Sequence, residues 1–334
     1  TLTVSGTLAD TTAVTVSSGA TYNVNANDTI GSLAGAGTVS TTSTGVTRTL
    51  TSGGDNTSTT FSGVIQDNGT GLLALTKSGS GTLTLSGINT YTGTTALTAG
   101  TIAISNSSAL GGYASGQGTT ITSGAALSIS GGITVAEPIT IAGTGISNGG
   151  ALVFTADNNT YSGAITLAAS TPLIKSTGGQ QTISGAINGA QALTITSTDN
   201  LTLSGTIGAT APPTSVSVTT TGSGVLALNA NVSTSGTQDY TAAGNITINA
   251  DRTLTGTTIT TNSALSGAYA LAITGNAIFG DGTGTDTITL SGTSKNLSVS
   301  GTTTLKADIT TSGTQTYTGA VTLSGGDRTL TGST

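Results

Sequence analysis

The chain contains no cysteine, histidine, methionine or tryptophan in 334 residues, and only four prolines. Without cysteine it has neither a disulfide framework nor a thiolate metal site. Without histidine, the Ser-His-Asp class of hydrolase and histidine-bound zinc are excluded. Charge is also scarce. Charged residues make up 6% of the chain, against ~25% in an ordinary soluble domain. The 7 basic and 13 acidic residues give a net charge of −6. A nucleic-acid partner needs a basic stripe to displace phosphate counterions, and the sequence holds none. No apolar run reaches the ~18 residues of a membrane span, and no charged-then-apolar leader opens the chain. The lack of cysteine suits passage through an oxidising periplasm.

What is present is small, hydroxylated and β-branched. There are 51 glycines, and about a third of the residues are Thr or Ser. Val, Ile, Leu and Ala supply nearly all of the 34% hydrophobic share, with seven Tyr and three Phe. Disordered chains lack β-branched residues and carry charge. This chain has the opposite bias, and its Thr, Val and Ile suit a pleated surface.

The pattern apolar-[TS]-apolar-Ser-Gly recurs as LTVSG (2–6), LTLSG (83–87), LSISG (127–131), LTLSG (201–205), ITLSG (288–292), LSVSG (297–301) and VTLSG (321–325). Each reads as a short strand with one apolar face and one hydroxyl face, ended by a glycine free to adopt positive φ. No apolar 3.6-residue period occurs, which leaves no room for helices. A longer repeat lies over the short one. ANVSTSGTQDYTA (230–242) aligns with ADITTSGTQTYTG (307–319) at an offset of 77, and DRTLTG at 251–256 returns at 327–332. Tyrosines in related settings fall at Tyr91, Tyr161, Tyr240 and Tyr317. Such recurrence predicts a solenoid. Short strands with Gly and Asn corners point to an all-β, right-handed parallel β-helix. At roughly 20–25 residues per coil it makes about 13–17 coils and a rod roughly 60–80 Å long. The expected organisation is one continuous β-helix over 1–334, a section of a longer chain, with the superrepeat in 226–334.

From Phe61 the chain runs FSGVIQDNGTGLLALTKSGSGTLTLSGINTYTGTTALTAGTIAISNSSALGG. This resembles the passenger-associated transport repeat of bacterial autotransporters and giant adhesins. The residues that carry the resemblance are Leu75-Thr76-Lys77, Gly79, Gly81, Leu83, Leu85, Gly87, Asn89, Tyr91, Gly93, Gly100 and Ile102. ITVAEPITIAGTGISNGGAL (133–152) is similar to passenger sequence, and NNTYSGAITL (158–167) is a degenerate second copy of the Asn-Tyr-Gly core. The close likeness covers roughly 61–165. It implies a right-handed β-helix exported to the outer surface of a Gram-negative-type cell, often as an adhesin or its stalk. Gly87, Asn89, Tyr91, Gly93, Tyr161, Tyr240 and Tyr317 serve as markers of the structural repeat. The expected partners are other copies of the chain, or host and neighbouring cell surfaces and their glycans.

Several stretches offer groups that could carry chemistry. A Ser-Lys pair would draw on Lys77, Lys175, Lys295 or Lys306, but each sits among hydroxyls by composition alone, and a solvated lysine is the favoured reading. Glycosidases need paired carboxylates. Here Glu137 is the sole glutamate, and the nearest acidic pairs are Asp55 with Asp67 and Asp281 with Asp286. FGDGTGTDTITL (279–290) resembles one calcium-binding nonapeptide, making Asp281 and Asp286 a weak calcium candidate. Those sites need tandem copies, and an Asp/Gly turn is favoured. The GSG and GTG runs open no helix and are void as phosphate loops. The tyrosines are read as corner fillers rather than sugar platforms, and Asp251-Arg252 and Asp327-Arg328 as solvated turns. Runs such as Thr285-x-Thr287-x-Thr289 raise ice binding, but the spacings drift. Sequons at Asn56-Thr57-Ser58 and Asn245-Ile246-Thr247 are potential glycan acceptors. No catalytic residue and no cofactor is expected. The expected role is a non-catalytic, adhesive or structural rod; the alternative is a section of an extracellular filament or matrix fibre assembled end to end, and a polysaccharide-active enzyme is a distant third.

Overall fold

Alternation of Thr or Ser with Val, Ile or Leu becomes parallel strands of two to ten residues in the computed structural model, which describes residues 1–112, 117–156, 158–169, 171–283 and 286–333. The chain is all-β, with a single short 3-10 turn at Ile146–Asn148 among the described residues. Its sheets are parallel and stack as a β-solenoid of about 15 turns, within the range expected from coil length. Two compact units divide it, Thr1–Leu173 and Ile174–Thr334.

Unit 1 winds around three faces. One ladder runs Asp28–Ile30, Thr47–Ser52, Leu72–Lys77, Thr95–Leu97, Thr119–Ile121, Ile139–Ile141 and Ile165–Leu167. The next runs Ala13–Val16, Ser32–Gly35, Thr59–Phe61, Thr82–Leu85, Gly100–Ile104, Ala125–Ile129 and Leu152–Phe154. The third face is shorter, with Leu2–Val4, Thr21–Val24, Thr38–Ser40 and Val64–Ile65, then Thr134–Val135 paired with Thr160–Tyr161. Parallel pairing places like on like. Leu83, Ile102, Leu127 and Leu152 form one interior column, and Leu85, Ile104, Ile129 and Phe154 another, all at most 1% exposed. Each such side chain contributes about 1.5–3 kcal/mol of burial.

Unit 2 repeats the plan with its own ladders. Gln181–Ile183, Leu201–Leu203, Leu226–Leu228, Ile246–Ile248, Leu265–Gly267, Thr287–Leu290, Asp308–Thr311 and Leu330–Thr331 form one face. The long strands Arg252–Thr261 and Leu271–Phe279 serve two faces each, and their pairing shifts register between Thr255 and Thr258, where the chain turns the corner.

Coil length varies while strand register does not. Leu75 pairs with Thr95, Thr95 with Thr119, Thr119 with Ile139 and Ile139 with Ile165, steps of 20, 24, 20 and 26 residues. The turns absorb the difference. Outward Thr29, Thr51, Thr76, Ala96, Thr120, Thr140 and Thr166 consequently stand in single file. The drift read from sequence spacing is a drift of turns, not of faces. Thr285, in the run that raised ice binding, lies outside the described residues.

The strand-ending glycines divide: Gly131 and Gly325 adopt positive φ as expected, and others do not. Gly87 does not adopt positive φ. It is needed because a Cβ there would collide with the Gly63 carbonyl of the neighbouring coil.

Candidate functional site

Asn and Asp at the corners restore the hydrogen bonds that the ladders lose there. Asn231 Oδ1 accepts from Thr253 N at 2.9 Å, Asn276 Oδ1 from Thr302 N at 2.9 Å, and Asn296 Oδ1 from Thr314 N at 2.9 Å. A side-chain oxygen thus stands in for a strand carbonyl and ties one coil to the next.

The Asn89-x-Tyr91-x-Gly93 corner of unit 1 is the fullest version. Asn89 is buried; its Oδ1 accepts from Ile65 N at 2.8 Å and its Nδ2 donates to Ala109 O at 2.5 Å. One amide thereby joins the coil below to the coil above. Tyr91 has no exposed surface, and its hydroxyl shares a 2.6 Å hydrogen bond with Thr95 Oγ1. Gly93 N donates to Leu73 O at 2.9 Å, and a Cβ on Gly93 would strike that carbonyl. Asp67 completes the corner: Oδ1 accepts from Leu73 N at 2.6 Å, and Oδ2 accepts from Thr92 N and Thr92 Oγ1 at 2.9 and 2.6 Å.

The second copy keeps the link to the coil below, with a different polar partner for its tyrosine, while Asn159 Nδ2 donates to Ala156 O of its own turn at 2.9 Å. Asn159 Oδ1 accepts from Ile133 N at 3.0 Å, and the fully buried Tyr161 donates its hydroxyl to Glu137 O at 2.7 Å. The Glu137 side chain points inside, with the residue 5% exposed. Thr119 Oγ1 donates to its Oε1 at 3.3 Å, while Oε2 has no partner. Burial pushes this carboxyl up to about 7, against a smaller downward pull from Thr119. Burial likewise raises the Tyr91 and Tyr161 hydroxyls, and the Glu137 charge adds to both shifts.

In unit 2 the tyrosines meet glutamine. Tyr240 donates to Gln238 Oε1 at 2.9 Å, and Gln238 Nε2 donates to Thr255 O at 2.7 Å. Both residues are fully buried. The superrepeat copy does the same at lower burial: Tyr317 donates to Gln315 Oε1 at 2.9 Å, and Gln315 Nε2 donates to Thr331 O at 2.8 Å. Burial pushes the Tyr317 hydroxyl up to about 12.

These glutamines were missed in the sequence, although both copies carry Gln two residues before Tyr. Also missed was the pair in which Tyr22 donates to Asp28 Oδ2 at 3.0 Å, both residues buried. The solvated reading fails for Lys77, which is 1% exposed. Its Nζ donates to Ser78 O and, at 2.9 Å, to Gly79 O, and burial lowers its pKa while Asp55 opposes that. The aliphatic stem lies in the interior and the ammonium closes the turn that follows.

Asp281 and Asp286 meet through one long contact, Asp281 N to Asp286 Oδ2 at 3.3 Å. The Asp281 carboxylate caps its own turn, accepting from Thr283 N at 2.6 Å and Thr283 Oγ1 at 2.8 Å, which lowers its pKa. Gly284 and Thr285 of that stretch lie outside the described residues. Among the described residues no three His, Cys, Asp or Glu side chains gather into a metal-binding group. The surface hollow bounded by Thr94, Gly118, Pro138, Thr140 and Thr166 has a volume of about 260 Å³ and holds no ionisable side chain. No helix among the described residues is long and apolar enough to cross a membrane.

Residues 75–104 and 147–169 match the family model described as the passenger-associated-transport-repeat. The first match spans the Asn89 corner and the second the Asn159 corner. No curated protein and no solved structure matches the chain. Passenger-associated transport repeats in these two stretches, on a parallel β-solenoid, fit an autotransporter passenger with β-helix repeats, consistent with an extracellular or surface location.

Proposed function

We propose that this passenger is a non-catalytic structural rod that holds an adhesive element away from the outer surface of a Gram-negative-type cell. One observation carries the reading. The defining side chains of the matched repeat, Asn89, Tyr91 and Gly93, are all turned to neighbouring coils: two are buried and the glycine is stacked on a carbonyl. The repeat therefore serves coil stacking and leaves none of its own groups to a ligand. The sparse charge and the absence of an acidic cluster among the described residues support the non-catalytic part. Host or neighbour-cell surfaces and glycans are the proposed partners of the adhesive element, and the domain plan is one continuous β-helix.

The test is electron microscopy of the native parent protein on and off the cell, paired with a cell-binding assay. The reading expects single thin chains anchored at one end, with cell binding lost when the distal element is removed and not when unit 2 is shortened by one superrepeat. Filaments many chains long, with an axial repeat equal to this chain, would replace the stalk with end-to-end assembly. Turnover of a polysaccharide by the purified chain would overturn the non-catalytic reading.

A further inference from the structure

Glu137 is the one glutamate in the chain, and its surroundings suit a neutral carboxyl. It is 5% exposed, its Oε1 takes a single 3.3 Å hydrogen bond, and Oε2 takes none. The titratable groups coupled to it are Tyr91 and Tyr161, and both hydroxyls are held protonated by burial. No ion pair among the described residues reaches it. A buried charge without a partner must be hydrated or neutralised.

The backbone beside it is also easy to open. Pro138 has no N–H, so it offers the neighbouring coil its carbonyl, which accepts from Thr119 N at 3.0 Å. Gly118, on the other side of that contact, sits at φ 148°. The 260 Å³ hollow lies directly outside, with Gly118, Thr119 and Pro138 on its wall. Thr119, whose hydroxyl bonds the carboxyl, thus also lines the hollow.

We propose that Glu137 is a proton-operated latch between the coils of unit 1, closed when protonated and opened by hydration through the Pro138 corner when ionised. The sign follows from the direction of the shift. Folding holds this proton more tightly than the unfolded chain does, since the folded value of about 7 lies above the ordinary 4.5. The contribution to stability is full below about 4.5 and is lost as pH rises toward about 7. Unit 1 is stiffest here in acid and loosens at neutral to alkaline pH.

Amide hydrogen exchange on the full chain, corrected for the intrinsic pH dependence of exchange, reads the latch directly. Protection of 119–121, 139–141 and 160–161 is expected to fall roughly tenfold or more between pH 5 and pH 8. Glu137→Gln keeps the shape and removes the titration, so its protection stays level. Thr119→Val removes the donor that favours the ionised form and moves the wild-type midpoint to higher pH. A level profile in the wild type, an unchanged fall in Glu137→Gln, or an unmoved midpoint in Thr119→Val would each overturn the latch.

Discussion

Unit 1 and unit 2 both bury tyrosines, Tyr161 at the end of Thr160–Tyr161 and Tyr240 inside Gln238–Ala242, but give their surroundings different acceptors. In unit 2, Gln238 accepts from Tyr240 and donates to Thr255 O, so both ends of the amide are matched. In unit 1, Glu137 offers two oxygens to an interior with one donor for them, Thr119. An amide carries its own donor and acceptor and is satisfied by a backbone carbonyl on one side and a hydroxyl on the other. A carboxylate only accepts, and a β-helix interior supplies few free donors, because its N–H groups are already in the ladders. The comparison teaches that polar groups are tolerated inside a narrow solenoid when they are neutral and matched at both ends.

The sharpest way to break the comparison is to remove the ring that both sites share. Tyr240→Ala and Tyr91→Ala each empty a fully buried site and are expected to cost about 3–5 kcal/mol in denaturant unfolding of the full chain. Unequal losses would mean that one corner collapses around the gap. Gln238→Leu is next. It strands the buried Tyr240 hydroxyl, while the Thr255 carbonyl keeps its bond from Thr234 N, at a cost of about 1–3 kcal/mol that does not vary with pH between 5 and 8. Gly87→Ala drives a methyl against the Gly63 carbonyl and is expected to cost about 1–3 kcal/mol, read as a lower unfolding midpoint for unit 1 alone. Asn231→Ala removes one exposed corner bond to Thr253 N. It is expected to cost about 0.5–1.5 kcal/mol, with faster amide exchange confined to Thr253.

Much of the architecture was legible because a β-solenoid writes itself in period-two alternation and corner residues. LTLSG at 83–87 became a strand with Leu83 and Leu85 inside. The Asn-x-Tyr-x-Gly spacing marked a corner because all three residues face neighbouring coils. Other features were hidden for physical reasons. Contacts one coil apart join residues some 20 positions away by a variable step, so Glu137 beneath Tyr161, or Asn89 beside Ala109, has no fixed spacing in the sequence. Lys77 read as solvated because its burial depends on carbonyls of the turn that follows, not on a charged neighbour. The Thr rows looked irregular because turn lengths differ while strand registers hold. The glutamines were visible in both superrepeat copies, and period two puts a Gln two residues before a Tyr on the same side of the strand; what the spacing does not give is that its amide caps the hydroxyl.

The most direct test exchanges the two chemistries in one chain, Glu137→Gln together with Gln238→Glu, and follows hydrogen-exchange protection of both units from pH 5 to pH 8. The account predicts that pH dependence leaves residues 119–161 and appears in residues 232–261, where the new carboxyl has lost the amide donor to Thr255 O. PH dependence that stays in unit 1, or fails to appear in unit 2, would contradict the claim that the matching of one buried polar group decides how each corner responds to protons.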